Sequence, residues 1–300
     1  MFNSKKVILE ARGGLGNQMF ELAAARSFAY ELNADLFIDN KIGFFLDFKY
    51  KRKFELDNVA TLYHPSSLLQ SYPFYLERLR NFLTKSQEKS TDINLRPGYL
   101  FERGMEYIDL ISYDRSLTTY WMSGYFQDPR YFLKNKELIL KEFLPEKQLK
   151  EEIKSVQSMS RSHDLIGLGF RMYEESSTPS AHAKDGKLKS VSDYQRALDK
   201  VLSVSINPKL LIFSTSYFKI LEKLKVPRDT LYINSDTVHL SSYEKLKMLA
   251  LCKHHVFNNS TFYWWGAFLS GKYFDSSDQQ IFCSDNFLNS SIALENWNSF

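Results

Sequence analysis

The alternation of apolar and polar positions predicts an α/β protein from its first residues onward. An apolar run starting at Lys6 is typical of a buried strand, and it leads into a glycine-rich turn. Residues 19–33 have helical spacing, with one apolar side formed by Phe20, Ala23, Ala24, Phe28 and Leu32. Residues 35–39 form a further short apolar run bounded by acids. The opening βαβ pattern predicts a parallel sheet with right-handed crossovers.

The middle of the chain is harder to interpret. Residues 40–115 are rich in Tyr, Phe, Lys and Arg, and Pro65, Pro73 and Pro97 interrupt the pattern. We expect long loops and helices there, one of them over 76–83. An aromatic strand then ends at Gly124, and Asp128, as an N-cap before a proline, starts a helix. A helix is expected over 132–143.

The second half repeats the alternation and predicts a doubly wound sheet. A long polar loop is expected over 172–190. Helices are predicted over 148–159, 192–204, 241–252 and 260–269, with a further one starting at Tyr217. Strands are predicted over 165–170, 209–214, 231–234, 255–257 and 281–283, the last being the final strand. With 300 residues, two domains are expected. The best boundary lies at 145–147, giving domains 1–145 and 146–300.

Composition excludes several classes of protein. The net charge is only +4, too small to indicate a nucleic-acid-binding protein. We find no apolar run long enough for a membrane span and no signal-peptide core. Cys252 and Cys283 lie in no metal-binding pattern, which favours a reducing compartment. The sequence therefore predicts a cytoplasmic protein, with at most peripheral contact at the inner face of a membrane.

The turn after the first strand is a candidate ligand site. Gly13, Gly14 and Gly16 leave the backbone uncovered, and the next helix directs its positive end at the same place. This arrangement suits a phosphate or a sugar. A tight turn with close strand–helix packing explains the same glycines equally well.

Further candidates follow the predicted strands, because open parallel sheets bind ligands at the carboxyl ends of their strands. Arg171 can form a bidentate contact with a diphosphate, or pair on the surface with Glu174 or Glu175. Ser260 or Thr261 is expected to cap a helix whose free N–H groups favour an anion. Trp264 and Trp265 are more simply interpreted as core. No His, Asp or Glu cluster has metal-ligand spacing, so no metal is expected.

Three segments of the chain carry a family resemblance: Gly13–Phe20, Gly124–Phe132 and Asn259–Leu269. Through them the chain resembles the α-1,2-fucosyltransferase family (glycosyltransferase family 11) of bacterial surface-glycan pathways. The resemblance implies a GT-B-like fold, with two Rossmann-like domains and a cleft between them. The N-terminal domain would be mainly on the acceptor side, and the C-terminal domain would bind the GDP-sugar.

The resemblance also implies an activity. It is an inverting, metal-independent transfer of fucose from GDP-fucose to the 2-hydroxyl of a galactose in an O-antigen-like, possibly lipid-linked oligosaccharide, with no cofactor. The site residues that it implies fall into three groups. They are Arg171, Glu174 and Asn17 for catalysis; Gly14, Gly16, Asn17, Arg171, Asn259, Ser260 and Thr261 for the donor; and Gln127 and Asp128 for the acceptor. Glu175, Glu10 and Asp128 are alternatives to Glu174 as the base.

One segment departs from the family pattern His-x-Arg-Arg-x-Asp. Arg171 is kept, but Gly169, Met172 and Glu174 replace the histidine, the second arginine and the aspartate. Lys184, Lys187 or Lys189 would be able to restore positive charge. The loop 214–216 also lacks the acid expected in many relatives. Two alternatives therefore stay open: transfer of another GDP-6-deoxysugar, and a catalytically silent sugar- or nucleotide-binding protein.

Overall fold

A computed structural model describes most of the chain. The described residues are 5–45, 47, 51–60, 62–84 (without the side chains of 80–84), 97–102, 107–110, 114–145, 150–171, 188–215, 219–234, 236, 239–287 and 289–300. The chain divides into two compact units, Met1–Phe143 and Leu144–Phe300. The expected boundary lay after residue 145.

Unit 1 is built on a parallel sheet with the strand order β3-β2-β1-β5-β4. The strands are β1 (Lys6–Glu10), β2 (Asp35–Asp39), β3 (His64–Pro65), β4 (Tyr99–Phe101) and β5 (Thr119–Ser123). The opening βαβ unit is as predicted, and β1 lies in the centre of the sheet. Strands β3 and β4 were not predicted.

The helices of unit 1 are α1 (Leu15–Leu32), α2 (Ile42–Phe45), α3 (Leu68–Thr84) and α4 (Lys136–Glu142). Helix α1 begins four residues before the predicted start and is buried on nearly all sides. Helix α3 is twice as long as predicted, because Pro73 lies inside it without ending it. Helix α4 is shorter than predicted, since the chain before it forms two 3₁₀ turns, Pro129–Tyr131 and Leu133–Asn135.

Unit 2 contains a second parallel sheet, in the order β11-β10-β9-β6-β7-β8. Its strands are β6 (Asp164–Gly169), β7 (Pro208–Phe213), β8 (Leu231–Ile233), β9 (His254–Phe257), β10 (Ile281–Cys283) and β11 (Asn298–Ser299). The prediction that residues 281–283 form the final strand was wrong. The polar pair Asn298–Ser299 adds an edge strand by pairing with β10.

Within its described residues, unit 2 contains the helices α5 (Glu151–Met159), α6 (Val191–Val204), α7 (Ser242–Ala250) and α8 (Thr261–Leu269). Capping boxes at Ser190 and Ser241 start α6 and α7. The predicted helix from Tyr217 is only a 3₁₀ turn, Lys219–Lys223, in its described part. Most of the predicted polar loop 172–190 lies outside the described residues.

Each unit has its own apolar core. In unit 2 the side chains of β6, β7 and β9 pack against α6, and in unit 1 Ile8, Phe37 and Phe74 belong to one cluster. Cys252 and Cys283 are both free and buried, and burial raises the pKa of both thiols. Among the described residues, we find no helix with the length and apolar character needed to cross a membrane.

Candidate functional site

The glycine turn of unit 1 lies at the carboxyl end of β1, where the chain enters α1. Gly13 has φ +74°, and a Cβ atom there would come within 3.0 Å of Asn17 Nδ2. Any other residue would therefore be strained and crowded. Gly14 occupies the N-cap position of α1, and the first turn of the helix contains no acidic residue. The turn thus leaves backbone and a positive helix end accessible, as an anion or sugar site needs.

Two predicted site residues from different sequence segments meet at this edge. Gln127 Nε2 donates a hydrogen bond to Asn17 Oδ1 at 3.0 Å. The contact joins the first turn of α1 to the loop after β5, 110 positions further along the chain. The structure therefore brings Asn17 and Gln127 into one site.

Gln18 was given no role from sequence, yet it holds the turn in place. Its buried Nε2 donates to Gly13 O at 2.9 Å and to Lys53 O at 2.8 Å, and its Oε1 accepts from Glu55 N. The segment around Lys53 is thereby fixed beside the turn. The Arg52 guanidinium reaches 3.7 Å from where a Cβ atom of Gly14 would lie. A side chain at Gly14 would lie against that cation.

A second cation, Arg12, lies beside the same turn. Its guanidinium carbon is 4.7 Å from the centre of the Tyr125 ring, a cation–π distance. Its backbone N–H donates to the buried Glu21 carboxylate at 2.9 Å. Burial raises the pKa of Glu21 well above its ordinary value, although the Arg12 charge acts in the opposite direction. Arg12 and Arg52 give this edge of unit 1 a positive character.

The loop after β5 is shaped by a carboxylate that the sequence did not reveal. Glu102 Oε2 accepts a 2.7 Å hydrogen bond from the backbone N–H of Phe126, which has φ +46°. Gly124 permits this approach, because a Cβ atom there would lie 2.3 Å from Glu102 Cβ. Burial raises the pKa of Glu102. The unusual backbone of the loop is therefore supported by one buried side chain.

Two carboxylates considered as bases are bound to neighbouring groups. Glu10 is an ion-pair partner of Arg78 and accepts from Ser123 Oγ. Asp128 accepts from the backbone N–H of Arg130, which makes it the predicted N-cap, and also binds the Arg130 guanidinium. Both carboxylates stabilise local structure.

In unit 2, Arg171 lies two residues past the end of β6 and is half-buried. Its carbonyl oxygen accepts a 2.8 Å hydrogen bond from Asn258 Nδ2. Asn258 directly follows the neighbouring strand β9 and is almost fully buried. The bond ties the segment of Arg171 to the segment that enters α8, so two predicted site segments meet.

The start of α8 differs from the predicted cap. Ser260 occupies the N-cap position, but its side chain forms no capping hydrogen bond within the described structure. Asn259 Nδ2 donates to Asn286 O at 3.3 Å, while the buried Asn259 Oδ1 has no partner among the described residues. Ser260 and Thr261 thus form the N-terminal end of α8, where the Ser260 backbone N–H donates to Asn258 O at 2.6 Å.

The departure at Gly169 has a steric cause. A Cβ atom at this position would lie 2.4 Å from the Tyr263 ring, which packs across the end of β6. The Tyr263 hydroxyl donates to Phe213 O at 3.0 Å, at the end of β7. Tyr263 therefore occupies the space that a side chain at position 169 would need.

The remaining predicted residues divide into three groups. Lys189 forms an ion pair with Asp285 at 2.6 Å, so its charge is already compensated. Trp264 and Trp265 are fully buried, as the core interpretation predicted. Met172, Glu174, Glu175, Lys184 and Lys187 lie outside the described residues.

Comparison with known proteins adds a family to this geometry. The family model described as Glycosyl transferase family 11 matches residues 6–300. The O-antigen biosynthesis glycosyltransferase WbnK of Escherichia coli is 25% identical over 280 residues, which cover 86% of this chain and 88% of that protein. An alpha-1,2-colitosyltransferase of Escherichia coli is 23% identical over 284 residues, covering 88% and 87%.

A solved structure supports the fold. The crystal structure of fucosyltransferase NodZ from Bradyrhizobium has a TM-score of 0.52 at 14% identity, covering 88% of this chain and 93% of that one. The two parallel sheets with flanking helices agree with the GT-B-like α/β class predicted from the sequence.

Proposed function

Because the chain belongs to glycosyl transferase family 11, we propose that it transfers fucose from GDP-fucose to the 2-hydroxyl of a galactose in a surface oligosaccharide. The transfer inverts the anomeric centre and uses neither a metal nor another cofactor. The acceptor belongs to an O-antigen-like glycan. This assignment is supported by the similarity of the chain to WbnK of E. coli, which is named for O-antigen biosynthesis. We place the reaction in the cytoplasm, at the inner face of the membrane, on a lipid-linked acceptor.

The observation that carries this proposal is the edge of unit 2 where Arg171 and the start of α8 are joined through Asn258. A guanidinium and the positive N-terminal end of a helix are both suited to phosphate oxygens. We assign the diphosphate of the donor to Arg171, Asn259, Ser260 and Thr261. From unit 1 we assign Gly14, Gly16 and Asn17 to the donor.

The proposed fucosyl transfer depends mainly on stabilisation of the leaving group. As the fucosyl group departs with oxocarbenium character, the nucleotide diphosphate gains negative charge. Fixed donors aimed at this charge lower the barrier without having to reorganise. Arg171 supplies the cation in this scheme, and Asn17 orients the sugar.

We assign the acceptor-binding residues to unit 1 and the general base to unit 2. Gln127, bonded to Asn17, is positioned to orient the acceptor, with Asp128 holding its loop. Glu10 and Asp128 are bound by Arg78 and Arg130, so we retain Glu174 as the proposed general base and Glu175 as its alternative.

A second donor deserves a direct test because of Tyr263. Its ring replaces the expected histidine side chain at the end of β6, and a relative is named as an alpha-1,2-colitosyltransferase. Colitose is the 3-deoxy counterpart of fucose. A change in the side chains around the donor sugar is therefore able to select between GDP-fucose and GDP-colitose. The second candidate is therefore a transferase that uses GDP-colitose.

The deciding experiment offers GDP-fucose and GDP-colitose separately with a panel of β-galactoside acceptors in the presence of EDTA, followed by linkage analysis of the product. A new fucose on the galactose 2-hydroxyl supports the proposal. Product from GDP-colitose alone supports the second donor. Binding of both donors without GDP release would instead support the catalytically silent alternative.

Arg171→Ala tests the assignment of the diphosphate. We expect a loss of about 100- to 1000-fold in rate, the usual effect of removing one such donor, with an unchanged circular dichroism spectrum. Arg161→Ala is the matched control, because Arg161 is an exposed arginine of the same unit. Near-normal transfer by Arg171→Ala would contradict the assignment.

A further inference from the structure

Helix α3 presents large apolar side chains to solvent. Six of them are each more than a third exposed, and we call them the α3 stripe: Leu68, Leu69, Tyr72, Tyr75, Leu76 and Leu79. The exposed fraction reaches 67% for Leu68 and 89% for Leu69.

The six side chains lie on one side of the helix. At about 100° per residue their positions fall within an arc of about 120°. The opposite side holds the helix to unit 1, through the buried Ser71 and Phe74 and through the ion pair between Arg78 and Glu10. Helix α3 is therefore anchored by one side and leaves its apolar side uncovered.

An exposed apolar surface of this kind is typical of a binding site for another molecule. Soluble monomers rarely expose contiguous apolar patches of more than a few hundred Å², and larger ones mark sites for proteins or membranes. Tyr72 and Tyr75 also carry the polar tip and apolar ring that suit a membrane–water interface.

The charge around α3 identifies the kind of partner. Residues 41–90 contain nine Lys and Arg but five Asp and Glu, a net charge of +4, which equals the net charge of the whole chain. The rest of the chain is therefore neutral overall. Lys41, Lys51 and Lys53 of this segment are exposed. An apolar helix face within a basic stretch of the sequence complements an anionic lipid surface.

We propose that the α3 stripe docks onto a bilayer of anionic phospholipids. The leucines and tyrosines enter the boundary between headgroups and acyl chains, and Lys41, Lys51 and Lys53 contact lipid phosphates. A second copy of the chain fits less well, because a two-fold interface would bring the same basic segment of both copies together.

Docking would have a consequence for the candidate site. Arg78 of α3 pairs with Glu10, the last residue of β1, and β1 leads directly into the glycine turn. The bilayer would thus lie close to the edge of unit 1 that holds Asn17 and Gln127. This consequence rests on the proposed lipid-linked acceptor, whereas the docking itself does not.

The test is co-sedimentation of the full chain with vesicles. One set contains phosphatidylethanolamine and phosphatidylglycerol, and the other contains phosphatidylcholine alone. We expect binding to the anionic vesicles that weakens with added salt, because salt screens the lysine–phosphate attraction, and much weaker binding to phosphatidylcholine.

Two variants assign the binding to this surface. The triple variant Leu69→Ser, Tyr72→Ser, Leu76→Ser should lose at least about tenfold in vesicle partitioning, since the buried apolar area drives insertion. Val204→Ser with Ile206→Ser is the matched control, because both side chains are exposed apolar groups of unit 2. The control should bind as the wild type does. Lys51→Asn with Lys53→Gln should reduce mainly the preference for anionic vesicles.

Three outcomes would overturn the proposal. Wild-type protein that stays in the supernatant with both vesicle types would do so, and so would a triple variant that partitions normally. A dimer in analytical ultracentrifugation that the triple variant abolishes would assign the stripe to self-association. Transfer to a soluble acceptor is measured in parallel, and it should be unchanged in the triple variant. A chain that docks but transfers nothing would contradict the proposed function alone.

Discussion

Single residues at the strand ends determine which side chains reach the candidate site. Gly169 leaves room for the Tyr263 ring, just as Gly124 leaves room for Glu102. In both places a missing side chain lets another one, distant in sequence, cover the carboxyl end of the sheet. At position 169, where the resemblance led us to expect a histidine, an aromatic ring therefore fills the space of a side chain.

We predict that Gly169→Ala destabilises unit 2 by about 1–3 kcal/mol, because its Cβ atom would overlap the Tyr263 ring. In a Tyr263→Ala background the same change should cost much less, giving a coupling energy of at least about 1 kcal/mol in a double-mutant cycle. Urea unfolding measures all four proteins. Gly167→Ala on the same strand is the control, since its nearest contacts are 3.3 Å. Additive effects would contradict direct packing of Tyr263 on Gly169.

Among the elements, α1 has the most unusual environment. It is buried on nearly all sides and includes the polar side chains of Gln18, Glu21 and Ser27 in its interior. The first turn of α1 also positions the glycine turn and the segment around Lys53 through one glutamine. The geometry of the site in unit 1 therefore depends on the start of this helix.

Gln18→Met keeps the length of the side chain but removes both donors and the acceptor. Each of the backbone partners Gly13 O, Lys53 O and Glu55 N would lose its hydrogen bond, and we expect a loss of about 2–4 kcal/mol in unit 1. Hydrogen exchange measured by mass spectrometry should accelerate over residues 51–60. Gln157→Met on α5 is the control. Unchanged exchange over 51–60 would show that Gln18 does not hold this segment.

At the scale of the whole molecule, buried titratable groups of the two units contribute to acid stability in opposite directions. In unit 1, burial raises the pKa values of Glu21 and Glu102. Their protonated forms are favoured in the folded state, so the contribution of these two carboxyls to the stability of unit 1 rises as the pH falls through their raised pKa values. In unit 2, burial lowers the pKa of His255 to about 3. His255 stays neutral when folded, so unit 2 loses stability as the pH falls below the ordinary histidine value of 6.5.

For His255 alone, lowering the pH from 7 to 5 should cost unit 2 about 2 kcal/mol. Trp121→Phe makes the measurement specific, because the other three tryptophans all lie in unit 2. Tryptophan fluorescence during urea unfolding then reports this unit at each pH. His255→Gln keeps a donor for Cys252 O, the partner of His255 Nε2, but does not titrate. An equal pH slope in His255→Gln would contradict the role of this histidine.

The sequence predicts those parts of the molecule whose signals are local. Strand β2 has the predicted bounds, and β1 leads into the glycine turn and α1 as expected. Strand β3, which is only His64–Pro65, and the polar β11 carry no apolar pattern, so only their pairing partners define them. Pro73 is compatible with α3 although a proline usually ends a helix.

The residues that support the candidate site were not predicted either, because their contacts join positions far apart in the sequence. Glu102 binds a backbone N–H 24 positions away, and Gln18 binds a carbonyl 35 positions away. Gln18 belongs to the first family segment, which was the one signal that pointed to it. The Asn17–Gln127 contact was not predicted, because the sequence placed both residues after strands but did not show that β1 and β5 are neighbours.

The burial of both cysteines has a practical consequence for studying this protein. Cys252 and Cys283 are inaccessible, and burial raises the pKa of both thiols. Alkylating reagents should therefore not react with them while unit 2 stays folded. Leu69→Cys would then introduce the one reactive thiol among the described residues without removal of a native one. A nitroxide spin label attached at this position would report its immersion depth in a bilayer through its accessibility to oxygen. The slow rate at which Cys252 and Cys283 are alkylated would in turn measure the rate at which unit 2 opens.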